Sequence, residues 1–269
     1  MDANKALWEK GDFTRLAATM RVSGEELVAS LGIHADMDVL DLGCGDGTTA
    51  LPAAQRGAKV RGVDIASNLV AAGNARAAKA GLANLHFEEG NASDLNQIEN
   101  DSFDLVISMF GAMFAPRPFD VAREMTRVTR RGGRIVMGNW IPSDPTLVAQ
   151  ILKISAEYSP PPPEGFESPI SWGIEDNVRA RFGAASIGDD QIHCESATYT
   201  FRYPGSPAEF LATFRHFYGP TMNAFEAAAR DGRDEDLHQK LAALFEIQNQ
   251  GNSGQTIIPA KYLKVTVEV

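Results

Sequence analysis

The segment VLDLGCGDG, residues 39–47, constrains this chain more than any other stretch. A short apolar run leads straight into glycines at 43, 45 and 47. Glycine enters left-handed backbone conformations without steric cost, so such a loop permits a tight turn and the close approach of a ligand to the main chain. Two acids accompany it. Asp41 lies inside the strand, two residues before Gly43, and Asp64 ends the next strand in KVRGVDI, 17 residues after Gly47. A carboxylate at that second position can accept both hydroxyls of a ribose. Dinucleotide sites place their third glycine three residues after the second, so that a helix N-terminus faces a pyrophosphate. Here Asp46 and Gly47 follow Gly45 directly, and Asp46 is expected to set a negative charge where that pyrophosphate would lie. A ligand carrying an ammonium and a sulfonium suits the loop better.

Around this loop the chain alternates strand and helix. Apolar runs at 39–42, 59–65, 85–88, 103–108 and 134–140 read as buried strands. The intervening helices are expected at 48–56, from a Ser67 cap to Gly81, and at about 118–130. Strands joined by single helices need right-handed crossovers, which gives a doubly wound parallel α/β sheet with helices on both faces. Residues 1–36 read as short helices, with Ser23 and Glu26 spaced as a capping box. After Trp140 the alternation loosens. A helix at 146–158, prolines at 160–163 that forbid helix, a short helix at 175–182 and a sixth strand at 191–203 come in turn. Two or three helices fill 207–249. The C-terminal segment TIIPAKYLKVTVEV sets Leu263, Val265, Val267 and Val269 in period two, a strand with one buried face.

Composition excludes several classes. A formal net charge of −10 opposes binding to nucleic-acid phosphates or anionic membranes, whose affinity comes from clustered Lys and Arg. The basic run RVTRRGGR, 127–134, reads as the solvated end of a helix. No stretch nears the roughly 18 apolar residues of a membrane span. The N-terminus is charged, unlike a signal peptide, and two cysteines make no disulfide framework. A cytoplasmic location is expected. No histidine pair has metal-ligand spacing, so no metal is expected.

Taken together, these motifs resemble the class I S-adenosylmethionine-dependent methyltransferases, of the type found in ubiquinone and menaquinone biosynthesis. The resemblance is strong over about 35–140 and looser elsewhere. It implies a seven-stranded Rossmann-like sheet whose last strand runs antiparallel beside the fifth. It further implies that the Gly43 to Gly47 backbone, Cys44 and Gly45 included, contacts the methionine part of S-adenosyl-L-methionine, that Asp64 holds the ribose hydroxyls, and that Asp41 and Ile65 belong to the cofactor site. The family's Gly-Asp-Ala near adenine reads Gly90-Asn91-Ala92 here, so Asn91 and Ala92 are expected at the adenine, with one family charge missing. Ser108 and Met109 would lie along the methionine chain. The segment FGAMFAP and the triplet Gly11-Asp12-Phe13 resemble one bacterial subgroup, implying that Phe13 belongs to a lid made by the N-terminal helices, 1–36. Residues 37–269 would then form the methyltransferase domain, with insertions at about 145–175 and 204–256 capping the acceptor.

Ligands of open α/β sheets bind beyond the carboxyl ends of the strands. That edge carries Phe110, Met113, Phe114 and Trp140, an apolar and aromatic set favouring a small, uncharged or aromatic acceptor. Methyl transfer is an in-line displacement at a carbon already activated by a sulfonium. Orientation supplies roughly 7–11 kcal/mol, against roughly 3–5 kcal/mol from a general base. Positioning therefore dominates. Candidate groups for a hydroxyl acceptor are Arg215, His216 and Tyr218 in FRHFYGPT, a segment expected to roof the strand-four loop. Two other readings stay open. A non-catalytic S-adenosylmethionine-binding protein would keep the loop without turnover, and a nicotinamide-dependent oxidoreductase would need a different glycine spacing. Neither the acceptor atom nor the oligomeric state is legible.

Overall fold

A computed structural model describes residues 3–161, 165–252 and 254–269. Pro162 and Pro163, half of the proline run, lie outside them. Five parallel strands form first: β1 (Asp38–Leu42), β2 (Lys59–Asp64), β3 (Leu85–Glu89), β4 (Phe103–Met109) and β5 (Thr129–Trp140). The later strands are β6 (Ile192–Tyr203) and β7 (Thr256–Glu268), and the sheet order is β3-β2-β1-β4-β5-β7-β6. β7 runs antiparallel to both β5 and β6. The parallel order reverses direction between β1 and β4, the switch point where a crevice opens beyond the strand ends.

Helices cover both faces because β1 and β4 carry apolar side chains on both; Val39, Leu40, Leu105, Val106 and Ile107 are wholly buried, with Asp41 and Ser108 the buried polar exceptions. The crossover helices are α4 (Ala50–Gln55), α5 (Ser67–Lys79) and α6 (Pro118–Val128). Pro52 is the third residue of α4, within the first turn, where its missing N–H costs nothing. Phe87 on β3 is the packing centre of this half. A Cβ added at Gly47, Gly62 or Gly73 would approach its ring to 2.6–2.7 Å. Burying one such ring is worth about 1.5–3 kcal/mol, and it draws α5 and the glycine loop down onto the sheet.

The N-terminal helices are α1 (Ala3–Glu9), α2 (Phe13–Ala17) and α3 (Arg21–Ser30). Here two capping expectations are corrected. α3 begins before Ser23, whose buried hydroxyl donates to the Thr200 carbonyl and accepts from Thr200 N–H, tying the helix to β6. Ser67 is the first residue of α5, not its cap. Glu9 does the capping from α1, accepting from both Ser67 N–H (3.0 Å) and Ser67 Oγ (2.6 Å). The remaining helices are α7 (Leu147–Ala156), α8 (Glu175–Ala184), α9 (Pro207–Phe217), α10 (Gly219–Arg230) and α11 (Asp234–Gln248). Gly219 and Pro220 open α10 rather than merely ending α9; a proline suits a first turn. The basic run is paired as well as solvated. Arg127 forks onto Glu124, and Arg130 bridges Asp38 and Asp104.

Candidate active site

β1 exits into a loop whose glycines all have positive φ: Gly43 at 69°, Gly45 at 54° and Gly47 at 89°. They need that freedom for different reasons. A Cβ on Gly43 would lie 2.6 Å from Gly111 Cα, and one on Gly47 would strike Leu51 and Phe87. Both are packing glycines. A Cβ on Gly45 would meet only the edge of the Phe13 ring, at 3.8 Å, so Gly45 alone presents bare main chain to open space.

Asp64 holds the loop. One carboxylate oxygen accepts from Gly45 N–H (2.8 Å) and the other from Ala66 N–H (2.9 Å), while Gly43 N–H reaches back to the Val63 carbonyl (2.7 Å). Burial pushes the Asp64 carboxyl above the usual range, and the N–H groups of Ala66, Gly45 and Ile65 partly oppose that. Asp41 is deeper. It accepts from the Thr49 hydroxyl and is pushed up to about 7, chiefly by burial. Cys44 is buried near these acids; burial first, then their charges, raise its thiol well above the ordinary value. It is a filler of the turn, not a nucleophile.

Asp46 departs from expectation. Its buried carboxylate is ion-paired with Arg21 of α3 and Arg76 of α5, the latter at 3.6 Å. Arg76 also donates to the Asp46 main-chain carbonyl, and Arg21 to Thr48 Oγ1. The negative charge is thus matched by two guanidiniums, and it ties the loop to two helices.

The loop opens on a cleft beyond the carboxyl ends of β1, β2, β3 and β4, the edge at which open α/β sheets bind their ligands. Along the sheet its wall changes character. At the β3–β2–β1 side come Gly90, Asn91 and Ala92, then Asp64 and Ile65, then Gly43, Cys44 and Gly45. At the β4 side come Met109, Phe110 and Phe114, with Trp8 and Phe13 from the N-terminal helices and Tyr199 from β6. The Tyr199 hydroxyl donates to the Met20 carbonyl at 3.2 Å.

Several candidates fall elsewhere. Asp41 and Ser108 sit one layer behind the wall: Ser108 Oγ donates to the Leu42 carbonyl and accepts from Ala112 N–H (3.0 Å). Met113 and Trp140 are core residues, Trp140 stacked on Phe110 with 3.7 Å between ring centroids. Arg215, His216 and Tyr218 do not line the cleft. Arg215 covers the Phe225 ring, His216 is exposed against Phe217, and only Tyr218 comes near, its ring 5.9 Å from Trp8 and 6.2 Å from Phe13. The cause is that α1 and α2 are interposed. Gly11 packs on the Phe217 carbonyl and Gly219 on the Leu7 carbonyl, so the 204–256 insertion backs the N-terminal helices instead of roofing the strand-four loop. No described residue of 145–175 lines the cleft either. Asn4, Trp8, Met20, Thr48, Thr49 and Tyr199 line it without having been singled out by any local pattern.

Comparison with known proteins decides the family. Residues 33–168, just over half the chain, match the model of a methyltransferase domain. This chain belongs to the class I S-adenosylmethionine-dependent methyltransferases. An uncharacterized protein of Mycobacterium tuberculosis is 36% identical over 227 residues, covering 84% of this chain and 80% of that one. A ubiquinone biosynthesis O-methyltransferase of Albidiferax ferrireducens is 32% identical over 124 residues, 46% of this chain and 48% of its own. The fold is also that of the YcgJ protein of Bacillus subtilis, whose crystal structure superposes with a TM-score of 0.57 at 20% identity, covering 91% of this chain and 97% of the other. The methyltransferase uses S-adenosylmethionine as its cofactor, and the cleft fits it chemically: bare main chain at Gly45 and a carboxylate at Asp64 face one continuous space. Among the described residues no helix is long and apolar enough to cross a membrane, and no group of three or more His, Cys, Asp or Glu is placed to hold a metal.

Proposed function

We propose that this methyltransferase serves a small, uncharged or aromatic acceptor seated at the β4 side of the cleft. The observation that carries the reading is the change of wall along the sheet, from main chain and acids at β3–β2–β1 to aromatic rings at β4. Asp64 takes the ribose hydroxyls, Asn91 and Ala92 flank the adenine, and Gly43 to Gly45 with Met109 follow the methionine chain. S-adenosylmethionine supplies a methyl carbon already activated by its sulfonium. The protein's work is to orient and to exclude water, as the orientation term demands.

Exclusion falls to α1 and α2. They span the cleft and are fastened on three sides: Lys5 to Glu89 (2.5 Å), Glu9 to Ser67, and Lys10 to Glu226 (2.7 Å) and Asn223 (2.6 Å). Trp8 packs edge-on to Phe13 and Phe114, closing the aromatic end. We read this pair of helices as the lid and α9–α10 as its support. The relative named as an O-methyltransferase makes oxygen the first acceptor atom to try. The test is release of S-adenosylhomocysteine from S-adenosylmethionine with a panel of small phenols, thiols, amines and polar controls. Activity confined to large or multiply charged acceptors would defeat the reading.

A further inference from the structure

Two fully buried side chains at the carboxyl end of β5 have polar atoms without partners. Asn139 is 0% exposed, and neither its amide nitrogen nor its amide oxygen is hydrogen-bonded. Trp172, 1% exposed in the turn Pro169–Gly173, has an unbonded indole N–H. The two belong to one place. A Cβ on Gly173 would overlap the Trp140 carbonyl oxygen, so each residue is one position from that contact. Interiors pair nearly all such groups, because an amide that gives up water without replacement is strongly disfavoured. An unpaired amide and an unpaired indole N–H at one place form a candidate site for a polar partner.

Their position says which partner. Gly138 pairs with Met109 across β4 and β5, and its carbonyl accepts from Phe110 N–H at 2.9 Å. Asn139 thus lies one residue beyond the level at which Met109 and Phe110 line the cleft. Between cleft and pair stands the turn Ala112–Phe114, which touches the turn Pro169–Gly173. Its ends, Ala112 and Phe114, line the cleft, while Met113 faces the core. The turn hangs from Phe110, whose φ of 60° is left-handed, a conformation a phenylalanine holds only under constraint.

We infer that Asn139, assisted by Trp172, is the polar contact that selects the acceptor, reached when the Ala112–Phe114 turn yields. This rests on the reading of the aromatic end as the acceptor site. The donors and acceptors define the class of substrate. The Asn139 amide both donates and accepts, and the Trp172 indole only donates. Arg181 stacks on the Trp172 ring at 4.5 Å; its Nη2 is shared by Glu167 at 3.2 Å and Ser171 Oγ at 2.7 Å, while its buried Nη1 is a further unmet donor beside the indole. A carboxylate would leave the Asn139 oxygen facing an anion, and an ammonium would leave the N–H groups unmet. A neutral ring bearing a hydroxyl beside a carbonyl or a second hydroxyl satisfies both.

The experiment compares wild type with Asn139→Leu, using catechol and 2-hydroxyacetophenone as probes. Replacing an unpaired amide by an apolar side chain of like size raises the melting temperature. S-adenosylhomocysteine affinity stays within twofold. The value of kcat/KM for both probes falls at least tenfold, mostly through KM. Asn139→Asp, which swaps the donor for a charge, gives the same selective loss. A lowered melting temperature in Asn139→Leu overturns the inference, since the amide would then already be paired in the free protein. So does unchanged turnover of the probes. Wild-type activity on other small acceptors but on neither probe removes Asn139 while leaving the small-acceptor reading intact. Inactivity toward every small acceptor removes both.

Discussion

The two sides of the cleft are built from different materials. At β1 and β2 the wall is main chain, freed by glycine and fixed by one carboxylate, and it comes from a stretch of 23 residues between Leu42 and Asp64, ends included. At β4 the wall is aromatic side chain contributed by α1, α2, the β4 loop and β6, from Trp8 to Tyr199. A site made of backbone tolerates almost no change in the residues that shape it, because the constraint is conformational. A site made of packed rings can be remodelled one ring at a time, since each contributes area rather than a unique geometry. On the assignment proposed above, cofactor and acceptor selection are separable.

The sharpest break in that comparison lies between two glycines of one loop. Gly43→Ala should unfold or severely destabilise the protein, because its Cβ meets the Gly111 backbone and its φ is left-handed. Overpacking of about 1–3 kcal/mol adds to a strain of about 1–2 kcal/mol. Gly45→Val carries the same left-handed strain, since its φ is 54°, but no backbone clash, so it should keep more of the fold than Gly43→Ala while losing S-adenosylmethionine binding by about 100-fold as its side chain enters the cleft. Thermal melts and titration calorimetry separate the two outcomes. If Gly45→Val binds normally, the main-chain account of the cofactor side is wrong.

Asp64→Ala comes next. Charged hydrogen bonds are worth about 1.5–3 kcal/mol, so affinity for S-adenosylmethionine should fall roughly 10- to 150-fold in a folded variant. Because Asp64 also binds Gly45 and Ala66 N–H, Asp64→Asn serves as control. It can still accept one of those bonds, and it should lose affinity with less effect on the melt.

These residues were legible in the sequence because the determinants are contiguous: a strand, three glycines and an acid at the next strand end. The neutralisation of Asp46 is not legible locally, because its partners, Arg21 and Arg76, lie 25 and 30 residues away and no local pattern announces an ion pair. Ser23 fits a capping spacing, yet its actual partner Thr200 is 177 residues distant. Trp8 and Tyr199 carry no motif at all. They reach the cleft only through packing of α1 and β6, and the same packing interposes α1 and α2 before Arg215 and His216. The strand-end aromatics divide for a related reason. Side chains alternate across a sheet, and whether a ring faces core or cleft depends on the loop that follows it.

Protonation sharpens the comparison on the cofactor side. The Asp41 carboxyl, pushed up to about 7 by burial, titrates at 3.8 when unperturbed. Between those values the folded chain holds a proton that the unfolded chain releases. Its contribution to stability therefore falls as pH rises from about 4 to about 7, and is constant outside that window. Asp41→Asn keeps an oxygen for Thr49 and abolishes the titration. Its stability relative to wild type should grow across that window by a few kcal/mol, at about 1.36 kcal/mol per unit. Denaturant melts at a series of pH values measure this; a flat difference would mean that Asp41 ionises at its ordinary value.

The smallest effect is expected where a sequence reading would have placed the largest. His216 stands in the aromatic segment FRHFYGPT, where a general base for a hydroxyl acceptor would be sought. Its side chain is exposed and packs beside Phe217, on a helix separated from the cleft by α1 and α2. A general base must come within roughly 3 Å of the proton it takes, directly or through one water, and the interposed helices prevent that. His216→Ala should leave turnover, acceptor KM and S-adenosylmethionine affinity within a factor of about two, equivalent to roughly 0.4 kcal/mol. Phe114→Ala is the matched contrast. It removes a ring from the cleft wall and the partner of Trp8 at 4.8 Å, and should raise acceptor KM well beyond that factor while sparing cofactor binding. A His216→Ala variant with a hundredfold loss in kcat and an altered pH profile would require α1 and α2 to move aside during catalysis, letting α9 deliver its base to the β4 side. The two sides of the cleft would then no longer be separable.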